Sequence, residues 1–310
     1  KPLTAAQKKQ RTLKQHAWLR AAIQAVFFVA MPGAFVAGFN GVKQLFLRIG
    51  AGKVLQLDSF TLSMLGLCGF TILFGRFFCG YVCAFGSLGD FVYAVSGLVQ
   101  KKLLHRKKQF ALPQKAVLVC QKLKYLVLVV IVGLCAAGVY GQLTGWSPWE
   151  VFSRLMALRQ PPEGFELGIL LFVLILVGMA LQPRFFCQFV CPMGAVFALL
   201  PVLPFAQLHR AADNCIPGCN ACANCCPVDL KLDEQSLRSG ECICCEACVG
   251  TCPRNNISRW DLGKGFWLPM LGRAALFFAM GVSLLLREAS DRIKGPPLCA
   301  FPARSGGFAL

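Results

Sequence analysis

Five runs of apolar residues, at 21–38, 60–73, 125–140, 167–181 and 266–286, leave this 310-residue chain few ways to fold. Each approaches the ~20 residues that a helix needs to cross a bilayer. The run at 60–73 reaches that length only by extending into the cysteine motif that follows it. Charged residues make up 15% of the chain, against roughly 25% in a soluble domain. Two more apolar runs, 81–99 and 193–208, are interrupted by Gly, Pro and the motifs and are expected as interfacial or re-entrant segments. The first run follows a basic stretch, as in a signal peptide, but no A-x-A site follows it, so an uncleaved anchor is expected.

The net charge of +18 comes from Lys and Arg in short blocks beside the apolar runs. That is the pattern of cytoplasmic loops, and no nucleic-acid partner is expected. The N-terminal tail holds Lys1, Lys8, Lys9, Arg11, Lys14 and Arg20 without an acid. The loop after the second run holds Lys101, Lys102, Arg106, Lys107, Lys108, Lys115, Lys122 and Lys124. The loop after the third run carries Glu150, Glu163 and Glu166 against Arg154 and Arg159. The N-terminus is therefore expected in the cytoplasm, with the loop around Trp146 and the C-terminus outside. Lys43, Arg48 and Lys53, and Arg287, Arg292 and Lys294, argue more weakly for the reverse.

The segments 76–86 and 184–194 are identical at seven of eleven positions, reading RFFCxxVCxxG, and each follows an apolar run. With the topology above, the two halves run in the same direction, as parallel repeats about an axis along the membrane normal. Such an axis would bring Cys79, Cys83, Cys187 and Cys191 to one depth. Three readings of these thiols stay open. They are buried packing groups, a dithiol relay on one helix face, or one shared iron site, since four Cys suit a [2Fe–2S] cluster or a single iron. A disulfide within one regular helical turn would be strained. Arg76 and Arg184 would offset thiolate charge at such a site or snorkel to phosphates.

Between the fourth and fifth runs, residues 214–257 are polar and carry ten cysteines. Cys242, Cys245, Cys248 and Cys252 with Pro253 form C-x2-C-x2-C-x3-C-P, and Cys215, Cys219, Cys222 and Cys226 with Pro227 form C-x3-C-x2-C-x3-C-P. Three thiolates on one loop hold three irons of a cube, and the fourth comes from the other run. Two [4Fe–4S] clusters are expected, on Cys215, Cys219, Cys222 and Cys252, and on Cys242, Cys245, Cys248 and Cys226. Cytoplasmic disulfides do not persist, and structural zinc rarely uses such runs. Cys225 and Cys244 are left as spare thiols. His16, His105 and His209 lie in basic stretches, so no transmembrane bis-His haem is expected, and no C-x-x-C-H, G-x-G-x-x-G or Walker A motif occurs.

In GRFFCGYVCAFGSLGD, PRFFCQFVCPMG and the two cysteine runs, with SPWEVF in weaker support, the chain resembles the NapH/NosR/CcoG-type membrane polyferredoxins. Ala84 stands where that family usually has the proline after its second motif cysteine. The resemblance implies electron transfer among the quinone pool, flavin or haem partner proteins and outer-side reductases, with copper reduction in some members. Trp146, Trp149 and Glu150 read as interface anchors, a quinol pocket or a docking patch. The expected fold is an all-α polytopic membrane protein of about five helices with an inserted two-cluster ferredoxin-like α+β module. Its segments are 1–20, 21–108, 109–210, 211–259 and 260–310, set in a bacterial cytoplasmic membrane. The expected role is a quinol dehydrogenase-like electron-transfer component; a redox sensor or assembly factor and a copper reductase are the alternatives.

Overall fold

Helix α1 (Ala5–Ala30) stops where the sequence places Met-Pro-Gly at 31–33, and α2 (Ala34–Gly50) leaves at 63° to it. Pro32 has no N–H for the helical ladder, and its ring crowds Met31 out of the α region. The single helix expected over 21–38 is therefore two, bent inside the apolar run. The structure, a computed structural model, describes residues 5–52, 59–103, 113–140, 145–156, 158, 163–203, 207–210, 214–230, 240–258 and 267–293. His105, Cys299, the basic residues 106–108 and the other residues after 293 lie outside the described residues.

The other apolar runs emerge as helices near their expected bounds. They are α3 (Ser59–Phe74), α6 (Leu123–Ala136), α8 (Glu166–Leu181) and α12 (Trp267–Ile293). The third ends short of Tyr140, because Gly138 turns left-handed at φ 72°. The N–H groups of Gly138 and Val139 fold back to the carbonyls of Cys135 and Leu134 at 3.0 and 3.1 Å, a Schellman closure. With α5 (Gln114–Cys120) before it, α6 completes an unbroken stretch from Ala116 to Ala136. Among the described residues this is the one unbent helix long and apolar enough to cross a membrane unaided, and the bent α1–α2 pair passes as a unit. Thr61–Phe74, Glu166–Leu181 and Pro269–Leu284 are shorter apolar helices.

The two copies of the cysteine motif fold alike. Each begins with a five-residue π-helical turn, Phe78–Val82 and Phe186–Val190, and its second cysteine is extended (Cys83 at φ −61°, ψ 117°; Cys191 at φ −68°, ψ 110°). The chain then re-enters a helix, α4 (Ala84–Leu103) or α9 (Pro192–Leu199). The thiols thus do not sit one above the other on a regular helix face, and the apolar run at 81–99 is broken by the motif at Cys83 and helical from Ala84 on. α4 packs on α8, and α2 packs on α3 and α6. Between the motifs the core is aromatic: Phe85 stacks on Phe186 at 4.4 Å, and Phe35 meets both rings at 5.7 and 5.9 Å. α7 (Pro148–Met156) packs on α8.

The cysteine-rich insert is bracketed by β1 (His209–Arg210) and β2 (Ile257–Ser258), paired antiparallel. Between them two short helices, α10 (Ala221–Asn224) and α11 (Ala247–Thr251), pack together, and α11 also packs on α1. The insert sits directly on the first motif. A Cβ on Gly80 would stand 2.5 Å from the Ile243 carbonyl oxygen, a backbone atom that cannot swing aside. Gly80→Ala should therefore lift the insert off the helices at a cost of about 1–3 kcal/mol. The expected result is reduced iron content at unchanged membrane yield; equal iron in both proteins would contradict the docking.

Candidate metal centres

Cys215, Cys219, Cys222 and Cys252 line one cavity, so the second run delivers its last cysteine to the first three of the other run. Cys248 lies within electrostatic reach of Cys245, Cys225 and Cys226, and Cys242 is a neighbour of Cys244 and Cys245. Each run thus places its third cysteine on a short helix (Cys222 on α10, Cys248 on α11) and its fourth beyond the helix end. Burial pushes the Cys226 thiol up to about 11 and raises Cys248 further, while the Cys244 thiol and burial together raise Cys242. Thiolates crowded in such surroundings need a bound cation, which is what an iron–sulfur cube offers. Among the described residues no three His, Cys, Asp or Glu side chains close around a single ion. A cube has no such requirement, because each thiolate takes a different iron. Cys225 gives its S–H to the Cys222 carbonyl at 3.1 Å, and Cys244 faces the Cys242 carbonyl at 3.8 Å.

The structure brings all four motif cysteines together. Cys79, Cys83, Cys187 and Cys191 are buried and within electrostatic reach of one another. Cys191 Sγ accepts the Gly194 N–H at 3.1 Å, and Cys83 takes the equivalent bond from Gly86. Neither Arg76 nor Arg184 snorkels to a surface: both are fully buried beside these thiols, and each crosses to the other repeat. Arg184 Nη1 donates to the Cys79 carbonyl at 2.5 Å and lies 2.1 Å from where a Cβ on Gly86 would be. Arg76 Nη2 stands 3.1 Å from the same position on Gly194. Glycine at the end of each motif leaves room for the opposite guanidinium.

Buried guanidinium groups need acids, and sequence reasoning missed those acids. Arg184 is held by Asp90 at 2.6 and 2.7 Å, and Asp90 also takes Arg20 and Gln24 from α1, both at 2.8 Å. Arg76 reaches the Gly240 carbonyl at 2.9 Å and Glu241 at 3.4 Å, and Glu241 also binds Lys124 and, at 2.5 Å, Tyr125. Burial alone would raise the Glu241 carboxyl, yet Arg76 and Lys124 hold it below the usual range. Lys124, read from sequence as a loop charge, is buried in α6. Asp90 closes the quoted GSLGD string and Glu241 directly precedes Cys242, so position beside the motifs was the available signal. Tyr81 OH donates to the Cys245 carbonyl at 3.2 Å, and His16 Nε2 lies 3.4 Å from that hydroxyl. Glu246, left-handed at φ 59°, is buried against Arg273 of α12 at 3.1 Å.

Trp146, Trp149 and Glu150 lie away from the thiols. Trp146 is exposed, and Trp149 is buried edge-on to Phe39 at 5.3 Å. Both line an apolar cavity of about 380 Å³ between α6 and α8, whose far wall includes Phe185 and Val190 of the second motif. Glu150 meets Lys43 at 3.5 Å, and Lys43, another expected loop charge, is buried in α2 against the rings of Phe39 and Tyr140. Arg210 Nε donates to Cys215 Sγ at 3.1 Å, a contact with no sequence signal.

Burial and the nearby Arg20 lower the His16 pKa to about 4. Its neutral form is therefore preferred in the fold, and the unfolded chain takes up a proton near pH 6.5 that the folded chain refuses. Stability should be full above pH 6.5 and fall as pH drops from 6.5 toward 4, by a few kcal/mol at ~1.4 kcal/mol per unit. Thermal unfolding across that window should show the loss in the wild type and a flatter profile in His16→Gln; parallel profiles would contradict it.

A family model described as a 4Fe-4S binding domain matches residues 59–109 and 166–204. Those stretches hold the two helix-plus-motif units and stop short of the ten-cysteine insert. An uncharacterised protein of Methanocaldococcus jannaschii is 27% identical over 77% of this chain and 85% of its own length. The putative electron transport protein YccM of Escherichia coli is 24% identical over 76% of this chain and 66% of its own. The ferredoxin-type protein NapH of Escherichia coli is 27% identical over 66% of this chain and 70% of its own. No solved structure matches. The chain is thus similar to proteins described as ferredoxin-type or as putative electron-transport proteins, and carries a 4Fe-4S binding-domain match over both motif units.

Proposed function

We propose that the protein is a membrane-bound single-electron relay. Its five helices form two parallel repeats, and a cytoplasmic module binds two [4Fe–4S] clusters through the eight cysteines of the crossed runs. A four-thiolate iron centre on Cys79, Cys83, Cys187 and Cys191 lies within the helices, with quinone or an outer flavin or haem protein as the exchange partner. The observation that carries this reading is the seating of the insert on the paired motifs. Gly80 abuts Ile243, Tyr81 bonds the Cys245 carbonyl, and Arg76 joins the thiol pair to Glu241 beside Cys242.

Bound clusters supply the one-electron carriers that side chains lack. The chain's own groups do the rest. Phe77, Phe78, Phe85 and Phe186 exclude water from the thiols, and Arg76 and Arg184 set two fixed positive charges against a site that four thiolates make anionic. A two-iron centre suits four thiols that do not close around one ion better than a single iron does. Membrane insertion is supported by the side chains that α6 and α8 turn outward, among them Leu126, Val129, Val130, Leu170, Val173 and Val177, which water does not favour as one surface. The cavity from Trp146 and Trp149 to Phe185 and Val190 has the size and apolar lining of a small-molecule site, and a quinone ring would reach the second motif along it.

In proteoliposomes, a reduced quinol should bleach the clusters of the wild type. A Cys79→Ala/Cys187→Ala double variant should keep the module's clusters but bleach at least tenfold more slowly. Bleaching at the wild-type rate would remove the motif thiols from the path; no bleaching of either protein would remove the quinol.

A further inference from the structure

The pairing of β1 with β2 sets Arg210 opposite Ile257 and so beside Asn256. Both residues donate to one sulfur: Arg210 Nε to Cys215 Sγ at 3.1 Å, and Asn256 Nδ2 to the same atom at 3.5 Å. The Asn256 backbone N–H reaches Cys252 Sγ at 3.3 Å. Two of the four thiols around the first cavity therefore receive side-chain or backbone N–H bonds, and one of those donors is a cation.

The second group of cysteines has other surroundings. Cys226 accepts neutral backbone N–H groups of Val228 and Leu230. A buried carboxylate, Glu246, stands between Cys245 and Cys248, already paired with Arg273. In the first group Cys215, Cys219 and Cys252 are partly open and Cys222 is buried; in the second Cys226 and Cys242 are partly open and Cys245 and Cys248 are buried. Four thiolates make each cluster anionic, and reduction adds one more negative charge. A cationic N–H on a ligand sulfur and nearby water both stabilise that charge and raise the potential.

We propose that Arg210, supported by Asn256, sets the cluster of Cys215, Cys219, Cys222 and Cys252 at the higher of the module's two potentials. A single electron entering the module then rests there, instead of on the cluster seated against Gly80 and Tyr81. Arg210 is a positioning residue acting through the Cys215 sulfur. The inference rests on the two-cluster reading of the insert.

The test is an anaerobic redox titration followed by electron paramagnetic resonance, on the full-length protein in detergent. The wild type should show two midpoints. Arg210→Gln should lower the higher one by about tenfold in the one-electron equilibrium between the clusters, which is 59 mV, and leave the lower one in place. Arg210→Lys, keeping the charge but not the Nε donor, should fall between. Arg254→Gln removes the same charge from the same cavity, but Arg254 donates to the Asn214 carbonyl at 3.2 Å instead of to sulfur, so its shift should be less than half as large. Unmoved midpoints in Arg210→Gln, a shift of the lower midpoint, or equal shifts in Arg210→Gln and Arg254→Gln would each overturn the assignment. Wild-type protein with fewer than two cluster signals would instead overturn the two-cluster reading beneath it.

Discussion

Two guanidinium groups buried in an apolar core are the constraint on which the rest of the structure depends. An unpaired charge there would cost several kcal/mol, so Arg76 and Arg184 must each find an acid, and the acids lie on other segments. Arg184 draws in Asp90 on α4 and, through it, Arg20 and Gln24 on α1. Arg76 draws in Glu241 from the insert, together with Lys124 and Tyr125 of α6. The two repeats, the N-terminal helix and the cysteine-rich insert are thus fastened at one level. Losing one partner of such a pair typically costs about 3–5 kcal/mol, because the other charge is left stranded.

The same charges explain why the motif ends in glycine. Each arginine crosses to the opposite copy and occupies the space that a side chain on Gly86 or Gly194 would fill. Four thiolates at one buried site would be strongly anionic, and two fixed guanidinium charges stand beside them. The π-helical turn contributes by offsetting the two cysteines of each motif, so that the second leaves the helix and its sulfur takes an N–H from the next helix.

Much of this was legible in the chain. The apolar runs marked the helices, since a run such as 167–181 leaves little alternative, and the two Pro-terminated cysteine runs marked the segment in which Cys215, Cys219, Cys222 and Cys252 line one cavity. The break at Pro32 was written in the sequence but outweighed by apolar length on either side. The π turns were not legible, because RFFCxxVC fits an α-helical pattern equally well. Lys43 and Lys124 misled as loop charges, since nothing local distinguishes a solvated lysine from one buried against a glutamate more than a hundred residues away. Arg210 was invisible for a similar reason: its contact with Cys215 depends on a strand pair two residues long.

The insert is seated directly on the motif pair, which joins a polar cysteine-rich unit to the buried thiols of the helices. The most direct test of the proposed relay is iron and acid-labile sulfide, measured on protein purified without air, beside a variant with Cys79 and Cys187 both replaced by serine. About eight irons per chain would fill the two cubes. The proposed relay requires more than eight in the wild type and a fall to about eight in the variant, with the cube signals intact. Colourless, iron-free wild-type protein would contradict it outright, and equal iron in the two proteins would return the motif cysteines to packing.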